Sequence, residues 1–295
     1  MKNDDTKNDD TKPGGLVLTR RGFAATGLVT GFALAAGPLR AEVIHTPDTG
    51  LDAGEVTVPV SAGKIPAYRA KPAGRTNLPI VLVVQEVFGV HEHIKDICRR
   101  FARLGYYAIA PSLYARYGDP GKYGMDNLHD LFVNIVAKVP DSEVMSDCDA
   151  TLDFAAGDGA DLSRLGVTGF CWGGRIVWLT AAHNPKIKAG VAFYGQLRGP
   201  EPLSPLRPHY PLDLAAQIKA PVLGYYGGLD RGIPAADVEA MRTALAKVGN
   251  TDSKIVVFKD AGHGFFADYR ESYNEADAKT AWAGMQTWFK DHGVA

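Results

Sequence analysis

The chain has 295 residues, 46% apolar and 22% charged. With about 250 residues left after any processing, it is long enough for one α/β domain or two small ones without staples. A net charge of −1 and three cysteines argue against a polyanion-binding surface and a disulfide framework, so nucleic acid is not an expected partner.

The first 54 residues read as lying outside the fold. Lys2–Lys12 is a tandem KNDDT repeat with no apolar residue, so it cannot pack and is expected to be disordered. Thr19-Arg20-Arg21-Gly22-Phe23 then precedes a short apolar run rich in Ala and Gly. Paired arginines before such a run are the pattern of a twin-arginine export signal, and the run is too short for a membrane span. The cut falls after Ala33-Leu34-Ala35 or near Ala41. Residues 1–41 are therefore read as repeat plus signal, recognised by the twin-arginine machinery, with the periplasm as destination. Residues 42–54 are read as a linker and 55–295 as a single domain.

From Glu55 strand and helix patterns alternate. Glu55–Val60 and Ile65–Ala70 alternate polar with apolar, as in a hairpin. Leu78–Val84 is a continuous apolar run, as in a strand covered on both faces. A helix follows over His91–Leu104, then a strand over Tyr107–Ala110 and a loop over Ser112–Asn127. Helices are expected over Leu128–Ala137 and Asp141–Ala155, a strand over Leu165–Gly169 and a helix over Gly173–Ala182. Lys188–Tyr194, Val222–Tyr226 and Lys254–Phe258 read as buried strands. Pro234–Val248 and Glu275–His292 read as the helices after the last two, and the Pro-rich stretch Gly199–Pro211 as an excursion. The alternation implies an α/β fold, a mostly parallel sheet with helices on both faces. Reactive groups in such a sheet belong after the carboxyl ends of its strands.

Three residues fall there in a telling order. Gly169-Phe170-Cys171-Trp172-Gly173 between strand and helix is G-x-C-x-G, the nucleophile-elbow pattern with cysteine for serine. Taken alone, Cys171 is either a nucleophile or a buried structural thiol. Asp230 follows the strand Val222–Tyr226, where it also fits as a helix cap. His263 follows Lys254–Phe258. The order nucleophile, acid, histidine, with gaps of 59 and 33 residues, is that of an α/β-hydrolase fold. In that scheme His263 moves the proton and Asp230 orients it. Backbone N–H groups of Trp172 and Val87 would form the oxyanion hole. Glu86, directly after a wholly apolar strand, has no structural reason to stand there unless it is a solvated loop residue.

GFCWGG, QEVFG, PSLYAR, GGLD and AGHGF together resemble the dienelactone hydrolase (carboxymethylenebutenolidase) family over residues 55–292. The resemblance implies hydrolysis of an ester or enol lactone without a cofactor, and a place in the breakdown of aromatic compounds. It also implies that Glu86 engages the resting thiol of Cys171 and helps form the thiolate when substrate binds. The family holds a substrate carboxylate with two arginines. One belongs in the helix after LYAR, where this chain has GMDNLHDLFVN; the other belongs four residues after the histidine, where it has Ala267. Arg270 is close to the second place, and Arg116, Tyr114 and Phe88 are the substrate-binding candidates. A general ester or thioester hydrolase, and a non-catalytic binder on the same fold, are the alternatives. Redox work by Cys171 would want a resolving cysteine, and none is near in sequence. His91-Glu92-His93 is not read as a metal site, because residues i and i+2 on a helix point apart.

Overall fold

The computed structural model describes residues 43–295, so the repeat and export signal assigned to 1–41 lie outside it. Strand β1 (Leu51–Val60) and β2 (Gly63–Pro72) form an antiparallel hairpin, closed by Ser61-Ala62 with Gly63 at positive φ. Four residues read as linker, Leu51–Gly54, belong to β1, paired with Arg69–Pro72. Half-exposed edge residues carry little apolar alternation, which is why the strand reads short in sequence.

Strands β3 (Leu78–Val84), β4 (Tyr107–Pro111), β5 (Ala160–Phe170), β6 (Ala189–Phe193), β7 (Val222–Gly227) and β8 (Lys254–Phe258) follow. The sheet order is β1-β2-β4-β3-β5-β6-β7-β8; the β1–β2 and β2–β4 pairings are antiparallel and every other pairing is parallel. Ile80–Val84 have no solvent exposure, as two parallel neighbours and helices on both faces require. Truncating Ile80 or Leu82 to Ala should cost about 2–5 kcal/mol.

Helices α1 (Glu92–Arg103), α2 (Leu128–Asn134), α3 (Asp141–Gly157), α4 (Trp172–His183), α5 (Ala235–Lys247) and α6 (Glu275–Asp291) complete the framework. Strand β5 begins five residues before its sequence signal, because Ala160–Arg164 are partly or fully exposed and three of them, Asp161, Ser163 and Arg164, are polar. Strand β8 is the sheet edge rather than a buried strand: Val256 and Val257 are exposed. Helix α2 stops at Asn134, short of Ala137, and gives way to a 3₁₀ turn over Val136–Lys138. The excursion runs into a 3₁₀ helix, Pro211–Gln217, absent from the sequence reading. Arg175 on α4 holds it: the guanidinium pairs with both Asp141 oxygens at 2.8 and 2.6 Å, bonds the His209 carbonyl at 2.8 Å, and lies 4.2 Å from the Tyr210 ring centre.

Because β3, β5, β6, β7 and β8 are parallel, the loops after them share one edge of the sheet. This is an α/β-hydrolase fold.

Candidate active site

Cys171 sits between β5 and α4 at φ 57°, ψ −114°, a conformation that costs an L-residue about 1–3 kcal/mol. The turn is possible because its flanks lack side chains. A Cβ on Gly173 would lie 2.5 Å from the carbonyl oxygens of Val84 and Gln85. The same closeness presses the first turn of α4 onto the end of β3, so the loop Gln85–Val90 borders the elbow. The Cys171 N–H donates to the Phe193 carbonyl at 3.0 Å, which fixes the turn against β6.

His263 and Asp230 are both buried, with His263 Nδ1 2.7 Å from Asp230 Oδ2. The other Asp230 oxygen accepts the N–H groups of Gly232 and Ile233 at 2.8 and 3.2 Å. So the residue does act as a local cap as well, with one oxygen for each job. Burial works against a charge on His263, but the negative Asp230 and the Cys171 sulfur, which also bonds the ring, outweigh it. The histidine is pushed up to about 10. The three residues therefore form a chain from sulfur to imidazole to carboxylate, with a strong preference for imidazolium in the middle. A group so placed holds a proton beside the sulfur and can release it to a developing oxyanion.

The N–H groups of Val87 and Trp172, both buried, find no protein acceptor among the described residues. Buried donors without acceptors are rare. These two flank the elbow, one from the loop after β3 and one from the start of α4, where the helix dipole also favours negative charge.

Glu86 is fully buried, but its hydrogen bonds do not go to the Cys171 sulfur. Glu86 Oε2 accepts from His91 Nε2 at 2.9 Å and from the Tyr269 hydroxyl, and Oε1 lies 3.8 Å from Arg270 Nη2. Burial would raise its carboxyl, but Arg270, then His91, hold it well below the usual carboxylate range. Here the structure differs from the expected thiol contact: the carboxylate is drawn to the cation and two donors. Arg270 is itself buried, its guanidinium 5.6 Å from the Phe88 ring centre.

His91 and Tyr269 were missed as site residues, although one lies five positions after Glu86 and the other six after His263. His91 caps α1 in extended backbone (φ −84°, ψ −179°). Its ring can therefore lie parallel to that of His93, with centres 6.1 Å apart, instead of pointing away as two helical residues would. Each imidazole has its own carboxylate, Glu86 for His91 and Asp268 at 3.0 Å for His93.

A cavity of about 500 Å³ opens beside this cluster, lined by Gln85, Phe88, His91, Tyr114, Ala115 and Pro120. A second of about 520 Å³ is lined by Met145, Leu179 and Leu206; neither lining includes Cys171, Asp230 or His263, and the first is the one that carries Gln85, Phe88 and His91 from the loop beside the elbow. Tyr114 is buried with its ring edge on Trp172, centres 4.9 Å apart. Arg116 is not a free cation: it is paired with Glu143 at 2.8 Å and with Asp147. Those two acids on α3 take the charge expected for substrate. Arg207, from the excursion, is different. It is 6% exposed, donates to the Val136 carbonyl, and has no carboxylate partner among the described residues. Burial pushes the Tyr114 hydroxyl up; the field of Arg207 is the strongest influence pulling it back.

An α/β-hydrolase fold with Cys171, His263 and Asp230 gathered at the ends of its strands defines a hydrolase. A dienelactone hydrolase family model matches residues 65–293, and the chain belongs to that family. It is 55% identical over 280 residues to a protein of Methylorubrum extorquens named "Putative carboxymethylenebutenolidase", covering 94% of each chain. A protein of Escherichia coli K12 with the same name is 50% identical over 270 residues, covering 91% of this chain and 98% of that one. The crystal structure of a "Putative Dienelactone Hydrolase" from Klebsiella pneumoniae superposes with a TM-score of 0.78 at 51% identity, over 81% of this chain and 98% of that one.

Proposed function

We propose that this hydrolase opens an enol lactone or cleaves a related ester through an acyl-enzyme on Cys171. The observation that carries the reading is the His263 imidazole, held between Asp230 at 2.7 Å and the Cys171 sulfur and pushed up to about 10. The sulfur attacks the carbonyl carbon and a C–S bond forms. The carbonyl oxygen becomes an oxyanion facing the N–H groups of Val87 and Trp172. As the ring C–O bond breaks, His263 passes its proton to the leaving oxygen. Water, its proton taken by His263, then attacks the thioester carbonyl and returns the sulfur. Asp230 keeps the imidazole in one orientation throughout. Glu86 guards the thiol when it lies against the sulfur and frees it when drawn to His91, Tyr269 and Arg270, and its hydrogen bonds to His91 and Tyr269 support the second of these positions.

An anionic substrate is supported by Arg207, whose buried charge has no carboxylate of its own. A neutral ester is the second reading, favoured by the pairing of Arg116 with Glu143 and Asp147. The comparison of kcat/KM on a dienelactone against neutral nitrophenyl esters, in the wild type and Arg207→Met, separates them. A preference for the acidic lactone that vanishes in the variant supports the first.

Export by the twin-arginine route to the periplasm is part of the same proposal, supported by Arg20-Arg21 before the apolar run. Replacing both arginines by lysine should retain the protein in the cytoplasmic fraction; unchanged export would rule this out.

A further inference from the structure

Glu86 keeps its charge in the interior because three neighbours hold it, and they are not alike. Arg270 contributes charge from 3.8 Å, and Tyr269 contributes its hydroxyl. His91 contributes a 2.9 Å hydrogen bond from a side chain that is 25% exposed and lines the cavity. Glu86 itself has no exposure. His91 is thus a link between the space a substrate would enter and the carboxylate behind it.

The ring is held for that task. It packs edge-on against Tyr269, centres 4.9 Å apart, and lies parallel to His93. His93 is in turn fixed by Asp268, which Arg100 Nη2 reaches at 2.7 Å. Burial lowers His91 below its ordinary value in spite of Glu86, so at neutral pH the ring is uncharged. The Nε2 must then carry the single proton, since a carboxylate can only accept. The titratable and charged groups facing this ring are Glu86 from the loop after β3, His93 on its own helix, and Tyr269 and Arg270 from the loop after β8.

We propose that His91 is a positioning residue that holds Glu86 away from the sulfur, so that Cys171 stays ready to attack while His91 donates. The proposal rests on the reading of Cys171 as nucleophile and Glu86 as its guard. Loss of the His91 donor lets the carboxylate return toward the sulfur. A negative charge there disfavours a second one on sulfur, and reactivity falls.

The test is the rate at which iodoacetamide labels Cys171, read on the peptide carrying it, as a function of pH in the full-length protein. His91→Phe keeps an aromatic ring but no donor, and should label about tenfold more slowly at neutral pH, the effect of one hydrogen bond to a charged group. His91→Gln, whose amide nitrogen reaches the same place, should restore the rate. Glu86→Gln leaves Arg270 unopposed beside the sulfur and should label faster, and adding His91→Phe to it should change nothing further. A merely structural His91 would lower the melting midpoint without moving the labelling profile. Wild-type labelling in His91→Phe, with Glu86→Gln altered, overturns this proposal alone. Unaltered labelling in Glu86→Gln overturns the guard reading as well.

Discussion

The elbow side of the site and the Glu86 side are built by different means. Cys171, Asp230 and His263 each follow a parallel strand, beside a glycine that close approach (Gly173, Gly227) or positive φ (Gly264) requires. The Glu86 cluster is assembled from a loop, a helix cap and an irregular segment. His91 Nε2, the Tyr269 hydroxyl and the Arg270 guanidinium meet on one carboxylate, Tyr269 from 183 residues away along the chain. The first arrangement is rigid because strands and backbone hydrogen bonds fix it. In the second the backbone is anchored, for instance by Gly89 N–H on the Glu86 carbonyl at 3.1 Å, but the carboxylate is held by side-chain polar contacts, which can exchange partners, so motion belongs there.

This contrast can be broken at several points. The largest effect is expected from Cys171→Ala, which should lower turnover of a dienelactone and of a nitrophenyl ester by about 10⁴-fold or more. Retained turnover would remove the elbow from the chemistry. Asp230→Asn should cost about 10³-fold, measured as kcat, because it leaves the imidazole with the wrong proton arrangement. Its pH signature sharpens the point. His263 is raised from 6.5 to about 10, so the folded state binds the extra proton between those values. The stability it contributes is complete below 6.5 and is lost as pH rises through about 10. The thermal midpoint of the wild type should fall across that window more steeply than that of Asp230→Asn. Arg207→Met should raise KM for an anionic lactone by about tenfold, the value of one charged hydrogen bond, with kcat little changed. The smallest effect is expected from Arg116→Gln. KM should stay within about twofold, because that charge belongs to Glu143 and Asp147, while the melting midpoint falls slightly.

The same contrast explains what was legible in the sequence. The parallel core was readable because Leu78–Val84 and its neighbours are apolar throughout, and the triad candidates because each follows such a run. Strand β8 was read as buried because KIVVF is apolar, although its place at the sheet edge leaves Val256 and Val257 exposed. Sheet order decides that, and no local pattern reports it. Glu86 was legible as an oddity but its partners were not. His91 was judged by helical geometry, whereas its extended backbone puts it outside that rule. Tyr269 and Arg270 follow the histidine motif with no spacing of their own to mark them. Arg116 and Arg207 were indistinguishable as surface-type cations until α3 supplied carboxylates to one and left the other without a partner of that kind.

The most direct test of the account is to trap the covalent intermediate. Protein mixed with excess nitrophenyl ester, acid-quenched within the first turnovers and digested, should carry the acyl group on the peptide containing Cys171. Asp230→Asn should show the adduct more slowly, and Cys171→Ala should show none. An acyl group on another residue, or full turnover with no acylated peptide, would contradict the central claim that this sulfur is the nucleophile.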